Sequence, residues 1–115
     1  MSNLVFVYGT LKNGYGNHHC MKRASGEFLG ESSVQDLKIY NYCSHFPAVA
    51  EGEGGRVYGE VYRVKDMAPL DTLEGYPCLY TRKIFQTSYG PAWVYLMPAK
   101  RLQNTSEIKS GKWPE

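Results

Sequence analysis

The run Leu4-Val5-Phe6-Val7-Tyr8, stopped by Gly9, constrains this chain more than any other stretch. Consecutive apolar and aromatic residues leave no polar face, so the segment suits a strand covered on both sides. Such a strand needs neighbours along its edges and packed layers above and below it. The run is far too short to cross a bilayer, and it lacks the charged leader and cleavage site of a secretory signal.

Composition says what those neighbours are. Ten Tyr, four Phe and two Trp favour pleated surfaces, while 12 Gly and six Pro punctuate between them. At 115 residues the chain predicts one domain over 1–115, its polar tail from about residue 100 being loose. With 43% hydrophobic and 21% charged residues, wholesale disorder is excluded. The net charge is +2 and no like-charge run exceeds two (Lys22-Arg23, Arg82-Lys83, Lys100-Arg101), so neither nucleic acid nor a membrane surface is an expected partner. Three cysteines without a Cys-x-x-Cys spacing read as reduced thiols in a cytoplasm.

Along the chain, Asn17 can cap a short helix to Ala24, ended by Gly26. Phe28-Leu29 and residues 37–42 read as short strands. Between Cys43 and Gly55 the alternation fails, which predicts a loop with Phe46-Pro47-Ala48-Val49 extended inside it. Residues 56–64 form the clearest strand: Val57 and Val61 share one face, and Tyr58, Tyr62 and Val64 the other. Gly59 in its middle signals a bulge or a close approach. Asp66 can cap a second helix with Pro69 in its first turn and Gly75 as a left-handed stop. Residues 80–87 and 92–97 make a hairpin around Ser88-Tyr89-Gly90-Pro91. The expected class is α+β: a small mixed, mainly antiparallel sheet closed into a barrel, with short helices outside.

Few residues carry chemistry. The loop from Gly9 to Gly16 has Gly-x-x-x-x-Gly, but Tyr15 and Gly16 stand where a phosphate loop needs Lys and Ser/Thr. The loop can still aim N–H groups at a small anion, or be an ordinary turn. His18-His19-Cys20 are adjacent and do not converge on a metal, so none is expected. Cys78 with His45 is a conceivable nucleophile and base, with nothing to bring them together. Glu74 is more informative. It ends the predicted second helix, where the partial negative charge raises a carboxyl pKa, and Leu73, Tyr76, Pro77 and Leu79 would desolvate it. Such a carboxyl can take a proton in one step and return it in the next. Asp71 shares its helical face and either pairs with it or supports the helix. Tyr80 and Arg82 share a strand face; Arg82 could hold a substrate carboxylate or pair with Glu74, and the second would oppose the raised pKa.

Taken in order, these pieces resemble one family. Phe6-Val7-Tyr8-Gly9-Thr10-Leu11-Lys12 with Asn17-His18 is similar to the opening signature of the gamma-glutamylcyclotransferase-like proteins. Phe46-Pro47-Ala48 and Val57-Tyr58-Gly59-Glu60-Val61-Tyr62 resemble their central segment. Leu70-Asp71-Thr72-Leu73-Glu74-Gly75-Tyr76 followed by Tyr80-Thr81-Arg82 resembles their catalytic segment. The likeness runs from about Val5 to Met97 and is greatest to the short members, the bacterial gamma-glutamylcyclotransferases and γ-glutamylamine cyclotransferases. It implies a small mixed barrel, a glutamyl-binding loop at Tyr8, Gly9, Thr10 and Leu11, and a catalytic acid at Glu74, with Tyr80 and Arg82 as secondary substrate contacts. The implied reaction needs no cofactor: the α-amine of a γ-glutamyl group attacks its own γ-carbonyl, giving 5-oxoproline and a free amine. The rival readings are a non-catalytic binding module on the same scaffold and a hydrolase releasing glutamate.

Overall fold

The computed structural model describes residues 3–43 and 46–114. The expected central strand is β1 (Asn3–Val7), followed by α1 (His18–Arg23), β2 (Glu27–Cys43), β3 (Phe46–Val64), α2 (Ala68–Glu74), β4 (Thr81–Thr87) and β5 (Gly90–Leu96). A short 3-10 turn, Ala99–Leu102, comes after them. The strands form one mixed sheet in the order β2-β3-β1-β5-β4. β1 lies in its middle, antiparallel to β3 and parallel to β5.

Strand alternation sends the apolar run of β1 to both faces, as its lack of a polar side requires. Val5 and Val7 pack with Cys20 and Met21 of α1 and Leu70 of α2. Phe6 and Tyr8 point the other way, among Val34, Ile39, Val61, Val94 and Ile108. β3 alternates in the expected phase: Val57 and Val61 lie on the second face, Tyr62 and Val64 on the first. Its Gly59 marks a close approach of backbone. A Cβ there would lie 2.2 Å from the Val7 carbonyl oxygen and 2.9 Å from Phe6 Cζ.

Four expectations change. The segment read as a loop before Gly55 is the first half of β3, and the two short strands before it are one long β2. The alternation breaks because the ladder bulges. Gln35 pairs with Arg56 but Leu37 with Glu51, so Asp36 alone stands opposite Gly52-Glu53-Gly54-Gly55. Asp36 closes the bulge by accepting the Gly54 N–H at 3.1 Å. Beyond it, the outer arm of β3 reaches the end of β5, where the Met97 N–H donates to the Val49 carbonyl at 2.8 Å.

The sheet, moreover, is not closed into a barrel. Among the described residues no ladder joins its edges β2 and β4. They meet through the Ser32 hydroxyl, which accepts the Ser88 N–H at 3.0 Å and donates to Ser88 Oγ at 3.2 Å. The Tyr89 side chain sits over Gly30, where a closing ladder would have to run.

The segment from residue 100, whose polarity suggested looseness, carries two buried anchors, Leu102 and Ile108. Its backbone joins the sheet: Ile108 N–H to the Ile39 carbonyl at 2.8 Å, and Tyr58 N–H to the Gly111 carbonyl at 2.9 Å. Among the described residues no helix is long and apolar enough to cross a membrane. Cys20 is buried and Cys78 exposed, both as free thiols.

The contact at Gly59 makes a direct test. Gly59→Ala would press a methyl group on the β1 backbone, which cannot yield as a side chain would, and should cost about 1–3 kcal/mol. Urea unfolding should show a lowered midpoint, and an unchanged midpoint would remove the close-approach reading.

Candidate active site

The site is assembled at the C-terminal end of α2. Pro69 stands in the first turn, as expected, and Asp66 Oδ1 accepts the Ala68 N–H at 3.0 Å. Gly75 ends the helix in the left-handed region at φ 64°. The Gly75 N–H donates to the Thr72 carbonyl at 3.2 Å and the Tyr76 N–H to the Asp71 carbonyl at 3.0 Å. That Schellman pattern fixes the direction of the last helical residue, Glu74.

Glu74 faces a cavity of about 130 Å³. One wall is the exit of β1 with its turn: Tyr8, Gly9, Thr10 and Leu11. Another is Tyr80 and Tyr95, and the arm of β3 contributes Phe46 and Pro47. Leu73 and Leu79 flank the acid. Among the described residues no hydrogen bond or ion pair reaches the Glu74 carboxyl, and burial raises its pKa from 4.5 to about 7. Of the two causes the sequence pointed to, the helix end and burial among apolar neighbours, burial is the one visible in the structure.

The phenols around it are held in place. Tyr8 donates to the Tyr95 carbonyl at 2.8 Å and Tyr80 to the Pro47 carbonyl at 3.1 Å. Burial first, then the neighbouring Tyr80 and Glu74, push the Tyr8 pKa well above its ordinary value, so it stays protonated. Burial, with the hydrogen bond to Asp71, likewise raises Tyr95.

Arg82 is not among the cavity's lining residues. Its guanidinium grips Asp71, Nε to Oδ1 at 2.9 Å and Nη2 to Oδ2 at 3.2 Å. It also packs against the rings of Tyr76 and Trp93, 4.6 and 4.3 Å from their centroids. The Tyr95 hydroxyl completes the group by donating to Asp71 Oδ1 at 2.7 Å. Asp71 therefore pairs with Arg82 instead of Glu74 and supports the helix from the sheet side. The conflict noted in the sequence is resolved by this third residue.

The glycine turn differs in detail from its sequence reading. A Cβ on Gly9 would lie 2.9 Å from Pro47 Cδ, so the glycine admits the arm of β3 as well as facing the cavity. Asn17 stands at the N-cap of α1 as expected, but its side chain makes no capping bond. Its side-chain amide donates to Thr10 Oγ1 at 2.8 Å, and its N–H to the Thr10 carbonyl at 3.0 Å. His18 and His19 turn their Nδ1 atoms to different main-chain carbonyls, those of Leu11 and Gly16. Cys78 lies at the surface, and the His45 paired with it in the sequence reading lies outside the described residues.

Tyr95, Pro47 and the Asp71–Arg82 pair escaped the sequence reading. Tyr95 left a faint signal, a phenol alternating with apolar neighbours on a strand, whose hydroxyl must find a partner once buried. Pro47 reaches the cavity only because of the bulge.

Comparison with known proteins places this geometry. The family described as gamma-glutamyl cyclotransferase, AIG2-like, matches residues 5–115. A gamma-glutamylcyclotransferase family protein, YtfP, of Citrobacter rodentium is 38% identical over 111 residues, covering 95% of this chain and 93% of that protein. The solution NMR structure of YtfP from Escherichia coli superposes with a TM-score of 0.74 at 35% identity, over 97% of this chain and 96% of that one. The crystal structure of a mouse AIG2-like protein gives 0.73 at 28% identity, over 84% and 77%. With its α+β fold, its mixed five-stranded sheet and this match over nearly its whole length, the chain belongs to the AIG2-like gamma-glutamyl cyclotransferase family.

Proposed function

We propose that the protein is a cofactor-independent cyclotransferase that converts γ-glutamyl amines or γ-glutamyl peptides to 5-oxoproline and the free amine. The observation that carries this reading is the Glu74 carboxyl: shielded, unpaired among the described residues, raised to about 7, and opposite the Tyr8–Gly9–Thr10–Leu11 turn across one small cavity. Family membership supports a γ-glutamyl substrate. The free thiols of Cys20 and Cys78 suit a reducing cytoplasm.

The chemistry needs little else. The glutamyl group lies curled against the turn, main-chain groups of residues 8–11 and the Tyr80 side chain holding it. Ionised Glu74 takes a proton from the α-ammonium, and the amine attacks the γ-carbonyl carbon. The oxyanion that forms is stabilised by main-chain N–H donors of the turn. Collapse breaks the bond to the leaving nitrogen, which takes that proton from Glu74. The carboxylate so freed then takes the second proton from the ring nitrogen and passes it to the departing amine, which leaves as an ammonium beside neutral 5-oxoproline lactam. One group serves these transfers because its pKa lies near neutrality. Holding amine and carbonyl together contributes several kcal/mol of the barrier reduction. Arg82 acts through Asp71, by fixing α2, and not on the substrate.

Incubation with γ-glutamyl amines and dipeptides, followed by mass identification of products, separates the readings. 5-Oxoproline is expected; glutamate would make the protein a hydrolase, and binding without turnover a binding module.

Glu74→Gln keeps shape and removes titration, so kcat should fall by about 10²–10⁴-fold in a folded variant. Wild-type turnover in that variant would overturn the mechanism. The wild-type kcat/KM should rise with pH along an acid limb centred near 7, where the carboxyl ionises. Stability should move the opposite way. A folded-state pKa raised from 4.5 to about 7 means stability that is full below pH 4.5 and lost as pH climbs through 7. Relative to Glu74→Gln, the wild-type Tm should therefore decline across that window, and a constant difference would contradict the burial of the carboxyl.

A further inference from the structure

The turn that walls the cavity is gripped from outside by the far end of the chain. Residues 106–111 are stitched to the sheet: Asn41 N–H donates to the Ser106 carbonyl at 3.0 Å, Ile108 N–H to Ile39 and Tyr58 N–H to Gly111. Ile108 is buried in the core beneath them. The segment therefore delivers Trp113 to a fixed place, and that place is the turn. Lys12, next to the cavity-lining Leu11, donates its ammonium proton to the Trp113 carbonyl. The Tyr15 and Trp113 rings meet at 5.5 Å between centroids, tilted by 48°. The Lys12 ammonium lies 5.1 Å from the Tyr15 ring and 6.0 Å from that of Trp113, so one half-buried cation binds both rings to each other.

The turn is also tied by the Asn17–Thr10 hydrogen bonds and, at the surface, by Asn13 N–H to Glu60 Oε1 at 3.0 Å. Short main-chain bonds, Lys12 N–H to Gly9 and Tyr15 N–H to Lys12, give it shape. Gly9, Gly14 and Gly16 make it intrinsically loose, and ordering a loose loop when substrate arrives costs binding free energy. A clasp that orders it beforehand lowers that cost.

We propose that Trp113 is a positioning residue, a strap that holds the Lys12–Tyr15 side of the turn closed and thereby sets how tightly the cavity takes the glutamyl group. Its consequence for substrate rests on the cyclotransferase reading; its consequence for the turn does not. The strap acts on a wall of the cavity and leaves Glu74 untouched, so it belongs to binding more than to chemistry.

The test uses the full chain as wild type, Trp113→Ala, Trp113→Phe and Lys12→Met, with amide hydrogen exchange and steady-state kinetics on a γ-glutamyl amide. Exchange at residues 10–16 should quicken about tenfold in Trp113→Ala and Lys12→Met, with β1 protection unchanged. KM should rise about five- to tenfold with kcat held within about twofold, and Trp113→Phe should recover most of both effects. Unchanged exchange at the turn with unchanged KM would overturn the strap, as would a loss of protection spread equally through β1. If the wild type turns over no γ-glutamyl amide, the cyclotransferase reading falls, and exchange at the turn alone decides the strap.

Discussion

The ion pair between Asp71 and Arg82 determines what the rest of the site can be. It joins a seven-residue helix to a strand of the sheet, and a helix so short has little stability of its own. Both oxygens of the carboxylate are engaged by the guanidinium, and the Tyr95 hydroxyl adds a further bond. Bidentate geometry between half-buried partners is the kind of ion pair that contributes, unlike the exposed pair of Lys83 with Glu51. A second effect follows from the same contact. Arg82 next to Glu74 would hold that carboxyl ionised and lower its pKa; satisfied by Asp71, it leaves Glu74 to the influence of burial. One acid is spent on holding the arginine so that the other, one helical turn on, stays poised.

The bulge in the β2–β3 ladder does comparable service from the opposite wall. By setting Gly52, Glu53, Gly54 and Gly55 against a single residue, it bends the outer arm until Val49 reaches the end of β5. Pro47 then abuts Gly9, and its carbonyl receives the Tyr80 hydroxyl. The cavity is thus walled by the first turn, the bent arm and the end of α2, together with Tyr80 and Tyr95.

The local features were legible in the sequence. A two-faced apolar run reads as a buried strand, and Gly75 reads as a helix stop because only glycine adopts that backbone without penalty. Glu74 could be singled out because two of its apolar neighbours, Leu73 and Leu79, are near it in the chain, although Tyr76 and Pro77, expected to shield it too, turn out exposed and outside the cavity wall. What stayed hidden depends on distant pairings. Arg82 finds Asp71 across 11 residues, and Tyr95 finds it across 24, on elements whose relative placement no periodicity encodes. The first half of β3 was hidden for another reason: its bulge destroys the alternation by which a strand is recognised. Barrel closure failed as an expectation because it is set by edge geometry, where Tyr89 over Gly30 outweighs any average tendency of β-rich chains.

The proton inventory of the cavity follows from the same arrangement. Its ionisable lining, among the described residues, is Glu74 and the phenols of Tyr8, Tyr80 and Tyr95. Tyr8 and Tyr95 are pushed by burial away from any titration in the neutral range, each donating its proton to a fixed oxygen. Asp71 is not among the cavity's lining residues and is held by the Arg82 guanidinium and the Tyr95 hydroxyl. In the proposed reaction, a proton leaving a substrate ammonium inside this cavity would therefore have Glu74 as its acceptor of suitable affinity, and the same carboxyl would have to return it. In that proposal the burial that raises Glu74 makes its proton transfers inseparable, and ties them to the apolar side chains, Leu73 and Leu79 among them, that crowd the carboxyl.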